Sequence, residues 1–385
     1  MSRGRLIKGM SSLHQASCFP NDAELQAAAK VAISSSLKMS EGESLLIVTN
    51  PEREVFEIAS ALYDAAFEIG AKPTLIVQPV KTQTDYAEES VIAAFEARPD
   101  AFISLSAEKL GKDKEGIRTP YEWDGVSFDH VFHYQLYGAK TLRAFWSPGA
   151  TKAMFAKCVP IDYSELKARC KAVSNALSRA TSVRVTNAKG TDILVDIRGR
   201  QPKSDDGDFS LPGSGGNLPA GEVFVSPKVG ASNGTIVFDG SIAVIRGDIT
   251  IHEPIRCKLE GGYVVAVEGG AEASALREAL ASGEEAARRM GVDGTLGADN
   301  VEAYVRNARN LGELGIGLNP QAAIVGNMLE DEKAFHTCHF AIGANYDDDA
   351  PALIHLDGLV TNPTIVAIGP NGRETVIERE GELIL

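Results

Sequence analysis

The chain has 385 residues, 44% hydrophobic and 23% charged, with a formal net charge of −14. That length suits two domains and allows a large core. The acid excess excludes a nucleic-acid partner, which would want a basic face. Five cysteines, Cys18, Cys158, Cys170, Cys257 and Cys338, are scattered without a CxxC pair. Neither a disulfide framework nor a cysteine-built zinc site is expected. The N-terminal MSRGRLIKGMSSLHQ is basic and lacks an apolar h-region, and no run approaches a membrane span. A cytoplasmic protein with no membrane partner is expected.

GESLLIVTN reads as a buried strand of apolar and β-branched residues. A helix follows, opened by Pro51 and closed by Gly70, with Val55, Ile58, Ala59, Leu62 and Phe67 on or near one face. AKPTLIVQPV is a second strand, so the three form a β-α-β unit with parallel strands. EESVIAAFEARPD and DAFISLSA repeat the alternation, which predicts an open α/β sheet. No GxGxxG follows the first strand and no GxxxxGK[ST] occurs anywhere, so a nucleotide is not implied.

The long helix SELKARCKAVSNALSRA marks a change of texture, and the domain boundary is placed at residue 178. SVRVTNAKGTDILVDIRGR reads as a hairpin, SDDGDFSLPGSGG (204–216) as a mobile loop, and TIVAIGPNGRETVIE as a last hairpin turned by Pro-Asn-Gly. Helices interrupt from Ala271 to Met290 and around Asn300 to Asn310. The prediction is an N-terminal α/β domain, 1–178, followed by a β-rich, barrel-like metal-binding domain, 179–385.

Three of the seven histidines fall between Phe335 and Val360. His355 and Asp357 form an H-x-D pair. On a strand, positions i and i+2 share a face, so both reach one metal, with Ile354, Leu356 and Gly358 on the other side. Imidazole and carboxylate are ordinary ligands for zinc, cobalt, manganese or iron(II). His339 stands in HFAIG. Glu222 and Glu313 lie in apolar, Gly- and Pro-rich surroundings, NLPAGEVFVSP and NLGELGIGLNP. A glutamate there is a compensated buried carboxylate, a site residue or a solvent-facing one. His336, His130, His133 and Cys338 read as structural, core or surface residues, and His252, next to Glu253, is not taken as a site residue. Asp347, Asp348 and Asp349 read as a solvated loop.

NLPAGEVFVSP with NGTIVFDGSI, NLGELGIGLNP, LEDEK…HTCHFAIGANY and IHLDGLV together resemble the thermophilic metallo-aminopeptidases of the aminopeptidase T family. VRVTNAKGTDILVDIRGR resembles the start of that family's second domain. The resemblance covers most of the C-terminal half in motif detail and the N-terminal half only in α/β character. It implies a two-metal site of zinc, cobalt or manganese held by Glu222, Glu313, His339, His355 and Asp357, with Tyr346 beside it. It also implies a homodimer and a small peptide substrate. The implied reaction is release of an N-terminal residue by metal-activated water, with Glu222 or Glu313 as general base and Tyr346 donating to the oxyanion. The segment between Tyr346 and His355 is short and acidic, and that between Glu222 and Glu313 is long; both bear on substrate choice. The alternative on the same scaffold is a mononuclear iron(II) ring-cleaving dioxygenase acting on dihydroxypyridines, with His339, His355 and Asp357 on the iron. A binding protein with a relict site is the third reading.

Overall fold

The computed structural model describes residues 22–82 and 85–385. Cys18 and the basic N-terminal segment lie outside the described residues. The chain divides into two compact units. One runs to Tyr163 and takes in Gly207–Ala220; the other comprises Ser164–Asp206 and Gly221–Leu385.

The first unit is built on a five-stranded sheet. Its members are β1 (Ser44–Thr49), β2 (Lys72–Val77), β3 (Ala101–Leu105), β6 (Arg143–Trp146) and β10 (Gly215–Asn217), in the order β10-β6-β3-β1-β2. Every pairing is parallel. Leu45 to Val48 are all buried, as a central parallel strand requires. The helix Arg53–Glu68 buries Val55, Ile58, Leu62 and Ala65. Phe67, expected near that face, is 42% exposed, because it falls past the edge of the apolar stripe. Phe102 packs edgewise on Phe95 and against Phe132, both at 4.9 Å between centroids, and these rings form the centre of the unit's core. A small hairpin, β4 (Tyr121–Trp123) with β5 (Val126–Phe128), lies outside the main sheet. The expected loop 204–216 is more ordered than its composition suggests: Gly215–Asn217 joins the parallel sheet beside β6. Only a glycine fits at 215, where a Cβ would lie 2.8 Å from the Ala144 carbonyl oxygen.

The second unit holds two sheets. The eight-stranded one runs β16-β15-β12-β8-β7-β20-β21-β22. Its strands are β7 (Ser182–Thr186), β8 (Asp192–Asp196), β12 (Asn233–Phe238), β15 (Ile255–Glu260), β16 (Tyr263–Glu268), β20 (Thr364–Ile368), β21 (Glu374–Arg379) and β22 (Glu382–Leu383). Both expected hairpins are present as β7–β8 and β20–β21. The seven-stranded sheet runs β14-β13-β19-β18-β17-β11-β9. It comprises β9 (Lys203–Asp205), β11 (Glu222–Val225), β13 (Ser241–Val244), β14 (Gly247–Thr250), β17 (Leu311–Gly317), β18 (Thr337–Gly343) and β19 (His355–Thr361). Both sheets have free edges, so this unit is β-rich without a closed barrel. Gly358 of β19 meets Phe238 of β12, where an added Cβ would lie 2.6 Å from the ring. Helices Ala271–Val292 and Ala298–Asn307 interrupt the strands. Among the described residues no helix is long and apolar enough to cross a membrane.

Candidate metal centre

The site forms on one face of β11, β17, β18 and β19. Side chains alternate along a strand, so Cys338, Phe340 and Ile342 enter the core while His339, Ala341 and Gly343 face the other way. On β19 the same alternation puts His355 and Asp357 on the face opposite Gly358. Register then brings the strands together: Glu222 pairs with Gly317, Gly315 with His339, and Ala341 with Asp357. A bulge between Leu311 and Glu313 sets the phase of β17. It turns Glu313, Gly315 and Gly317 onto the site face, and Gly315 leaves room for the imidazole of His339.

The five residues implied as ligands converge. His339 Nε2 is 3.3 Å from Glu222 Oε2 and 3.2 Å from Glu313 Oε1. His355 Nε2 is 3.5 Å from Glu313 Oε2 and 3.4 Å from Asp357 Oδ1. Glu313 thus lies between the two imidazoles. His355 Nδ1 donates to the Ala344 carbonyl at 2.9 Å, which directs Nε2 inward. Three overlapping groups offer one ligand atom each within 4.8 Å of one another: Glu222/Glu313/His339, Glu313/His355/Asp357 and Glu332/His339/Asp357.

Burial opposes charge on Glu313, Glu332, His339, His355 and Asp357, and their mutual fields decide the result. Desolvation would lower His355, but Asp357 and then Glu313 outweigh it and hold it at about 10. His339 is held at about 9 against the same penalty by Glu313 and Glu222. For Asp357 burial raises and His355 lowers, and the carboxyl ends at about 2. Glu332 is pushed to about 8, chiefly by burial.

Tyr346 stacks edgewise on His355, with centroids 5.1 Å apart, and the Phe224 ring lies 5.3 Å from it. Tyr346 is 52% exposed as a whole, but desolvation of its hydroxyl, then the field of Glu313 and Asp357, pushes that group up. The acidic loop after it is tied down rather than loose: Arg200 reaches Asp347 at 3.1 Å and Asp349 at 2.7 Å.

Three charged neighbours were not expected from sequence. Lys333 is fully buried, with Nζ 2.7 Å from Glu222 Oε1, in close contact with Glu332 and 4.0 Å from Asp205. Besides adjacent Glu332, the partners of Lys333 are Asp205 and Glu222, far away in sequence, so alternation and spacing give no signal for its burial.

Among the described residues of the second unit, His336 and His252 lie outside the three ligand groups. His336 sits at φ 67° with Nδ1 bonded to the Gly381 carbonyl. His252 is exposed. His130 is held by Phe132 N–H at Nδ1 and by the Gly111 carbonyl at Nε2, and burial lowers it to about 4. It lines a cavity of about 760 Å³ in the first unit together with His133, Lys109, Lys112 and Trp146. That cavity lies beyond the C-terminal ends of β3 and β6, where open parallel sheets commonly bind ligands.

The donor set fits a resident metal. Asp357 Oδ1 is buried without a hydrogen-bond partner, and the Nε2 atoms of His339 and His355 lie 3.2 to 3.5 Å from the oxygens of Glu222, Glu313 and Asp357.

The family model described as NicX, 2,5-dihydroxypyridine 5,6-dioxygenase, matches residues 135–343. A 2,5-dihydroxypyridine 5,6-dioxygenase of Pseudomonas putida is 27% identical over 112 residues, which is 29% of this chain and 32% of that protein's length. The solved structure of 2,5-dihydroxypyridine dioxygenase from Pseudomonas putida superposes with a TM-score of 0.68 at 18% identity, over 95% of this chain and 98% of that one. Wild-type AmpT from Thermus thermophilus superposes at 0.63, also 18% identical, over 94% and 99%. The two solved structures speak for the fold, which they share. The expectation of a peptide hydrolase, an aminopeptidase, is overturned by the family match. The motifs behind it belong to a fold that both solved structures share, and fold does not determine reaction. Since the match spans more than half of the sequence, the chain belongs to the 2,5-dihydroxypyridine 5,6-dioxygenase family.

Proposed function

We propose that this protein is an iron(II)-dependent dioxygenase that opens a hydroxylated pyridine or a closely similar hydroxylated ring. The observation that carries this reading is the family match over residues 135–343, a span that includes Glu222, Glu313 and His339. His339, His355 and Asp357, with Glu313 between the imidazoles, would hold the metal, in keeping with the two-histidine, one-carboxylate pattern of non-haem iron oxygenases. Iron(II), when bound, supplies the one-electron chemistry that lets dioxygen react with a closed-shell ring.

The chain's own residues do the rest. The Ala344 carbonyl fixes the tautomer and direction of His355. The raised hydroxyl of Tyr346 keeps its proton and can donate it in a hydrogen bond to an oxygen of the ring or of the opening product. Phe224 and the Tyr346 ring form an apolar wall beside a flat substrate.

The test is anaerobic reconstitution with iron(II), then addition of 2,5-dihydroxypyridine and air. Loss of the ring's ultraviolet absorbance with about one dioxygen consumed per ring supports the reading. Full iron occupancy with no dioxygen uptake on any hydroxylated pyridine or catechol would sink it.

A further inference from the structure

We propose that Lys333 acts as a built-in cation that keeps a second metal out of the site and so fixes its stoichiometry at one. This rests on the iron reading for the identity of the metal, but not for the count.

The argument starts from the three ligand groups. Two of them, Glu222/Glu313/His339 and Glu332/His339/Asp357, include a carboxylate already engaged by Lys333. The third, Glu313/His355/Asp357, includes none; with His339, whose Nε2 lies 3.2 Å from Glu313 Oε1, it makes up the single site proposed above. A second ion would therefore need Glu222 or Glu332, and either choice places a dication beside a buried ammonium. Lys333 has no exposed surface, and Asp205, Glu222 and Glu332 surround its Nζ. At a fully buried site like-charge repulsion is screened less than at the surface. An ammonium and a divalent metal are alternative ways of neutralising the same carboxylates, and this chain carries the ammonium covalently.

The short helix Met328–Asp331 aims the lysine. Asp331 accepts from Ser241 Oγ at 2.6 Å and from the Val325 and Gly326 amides at 2.8 and 3.0 Å. The turn carrying Glu332 and Lys333 is thereby fixed to β13. Lys333 is a positioning residue in this account: it holds Glu222 and Glu332 off the metal and touches no reacting atom.

The experiment uses full-length protein stripped with chelator, then loaded separately with iron(II) and with manganese(II) under anaerobic conditions. Metal per chain is measured by elemental analysis after desalting, and manganese is also read by electron paramagnetic resonance. Wild type should hold about one equivalent and give an uncoupled manganese signal, Lys333→Met about two with a spin-coupled signal, and Lys333→Arg about one again. Glu222→Gln should keep its single metal, because Glu222 is a partner of the lysine and not a required ligand. Two equivalents, or a coupled pair, in wild type would overturn the proposal even if Lys333→Met does not fold. One equivalent in a folded Lys333→Met would overturn it too. Failure of ring cleavage with a count of one would strike the proposed reaction and leave this inference standing.

Discussion

Gly315 lies directly beneath the imidazole of His339, on the neighbouring strand in register with it, and a Cβ at that position would overlap Nε2. The glycine leaves open the space in which a metal-facing nitrogen can sit. Gly315→Ala should leave the sheet intact, because β17 needs no unusual backbone angle there. It should displace the imidazole and weaken metal binding by about 10–100-fold, the usual cost of misdirecting a ligand. Titration of the stripped variant with manganese(II), alongside far-ultraviolet circular dichroism, separates this from unfolding.

The metal-free protein should show a pH-dependent stability with a definite sign. His339 and His355 titrate at about 9 and about 10 in the folded chain, above the ordinary 6.5. Their contribution is complete below about 6.5 and is lost as pH rises through 9 to 10. Asp357, held at about 2 against an ordinary 3.8, contributes above about 4, and that share is lost only as pH falls through 2. Metal needs neutral imidazoles, so affinity should rise over the same alkaline interval, and binding should release protons. Melting curves from pH 6 to 10, with and without metal, check both. A metal-free melting temperature that climbs toward pH 10 would refute the assignment.

Tyr346→Phe should keep the metal and the fold while slowing turnover by about 10–100-fold, because it removes one hydrogen-bond donor and nothing else. Equal metal content with a lower kcat and little change in KM is the expected result. Loss of metal would instead mark Tyr346 as a support for His355, against which its ring lies.

Asp331→Ala should cost about 1–3 kcal/mol of stability, since it strands the Ser241 hydroxyl and the amides of Val325 and Gly326. Asp331→Asn, which keeps the shape and one acceptor, should cost less. Urea unfolding of the two variants gives the comparison.

Much of the sheet architecture was legible because strand alternation is a local signal: β1, β2, β3 and the two hairpins of the eight-stranded sheet announce themselves in their own residues. The H-x-D of His355 and Asp357 was legible for the same reason, as i and i+2 share a face whatever the fold. Glu222 and Glu313 carried only the oddity of a charge in an apolar run, and the family-like order of motifs was needed to join them. Lys333 was illegible. Its burial depends on Asp205 and Glu222 arriving from other strands, and no pattern within LEDEK records that. The expected peptide hydrolysis failed for a related reason: the candidate ligands on the strands suit either chemistry, while the residues that decide between the chemistries need not follow any strand's period.

β10 has a consequence for the first unit as a piece of protein. Gly215–Asn217 supplies the outermost strand beside β6, yet it is encoded after more than forty residues that belong to the other unit. A fragment ending at 163 or 178 would present the backbone of β6 unpaired, an adhesive edge open to any other extended chain. The first unit is continuous in space and interrupted in the gene, so it can be isolated intact only if the return segment is grafted back onto it.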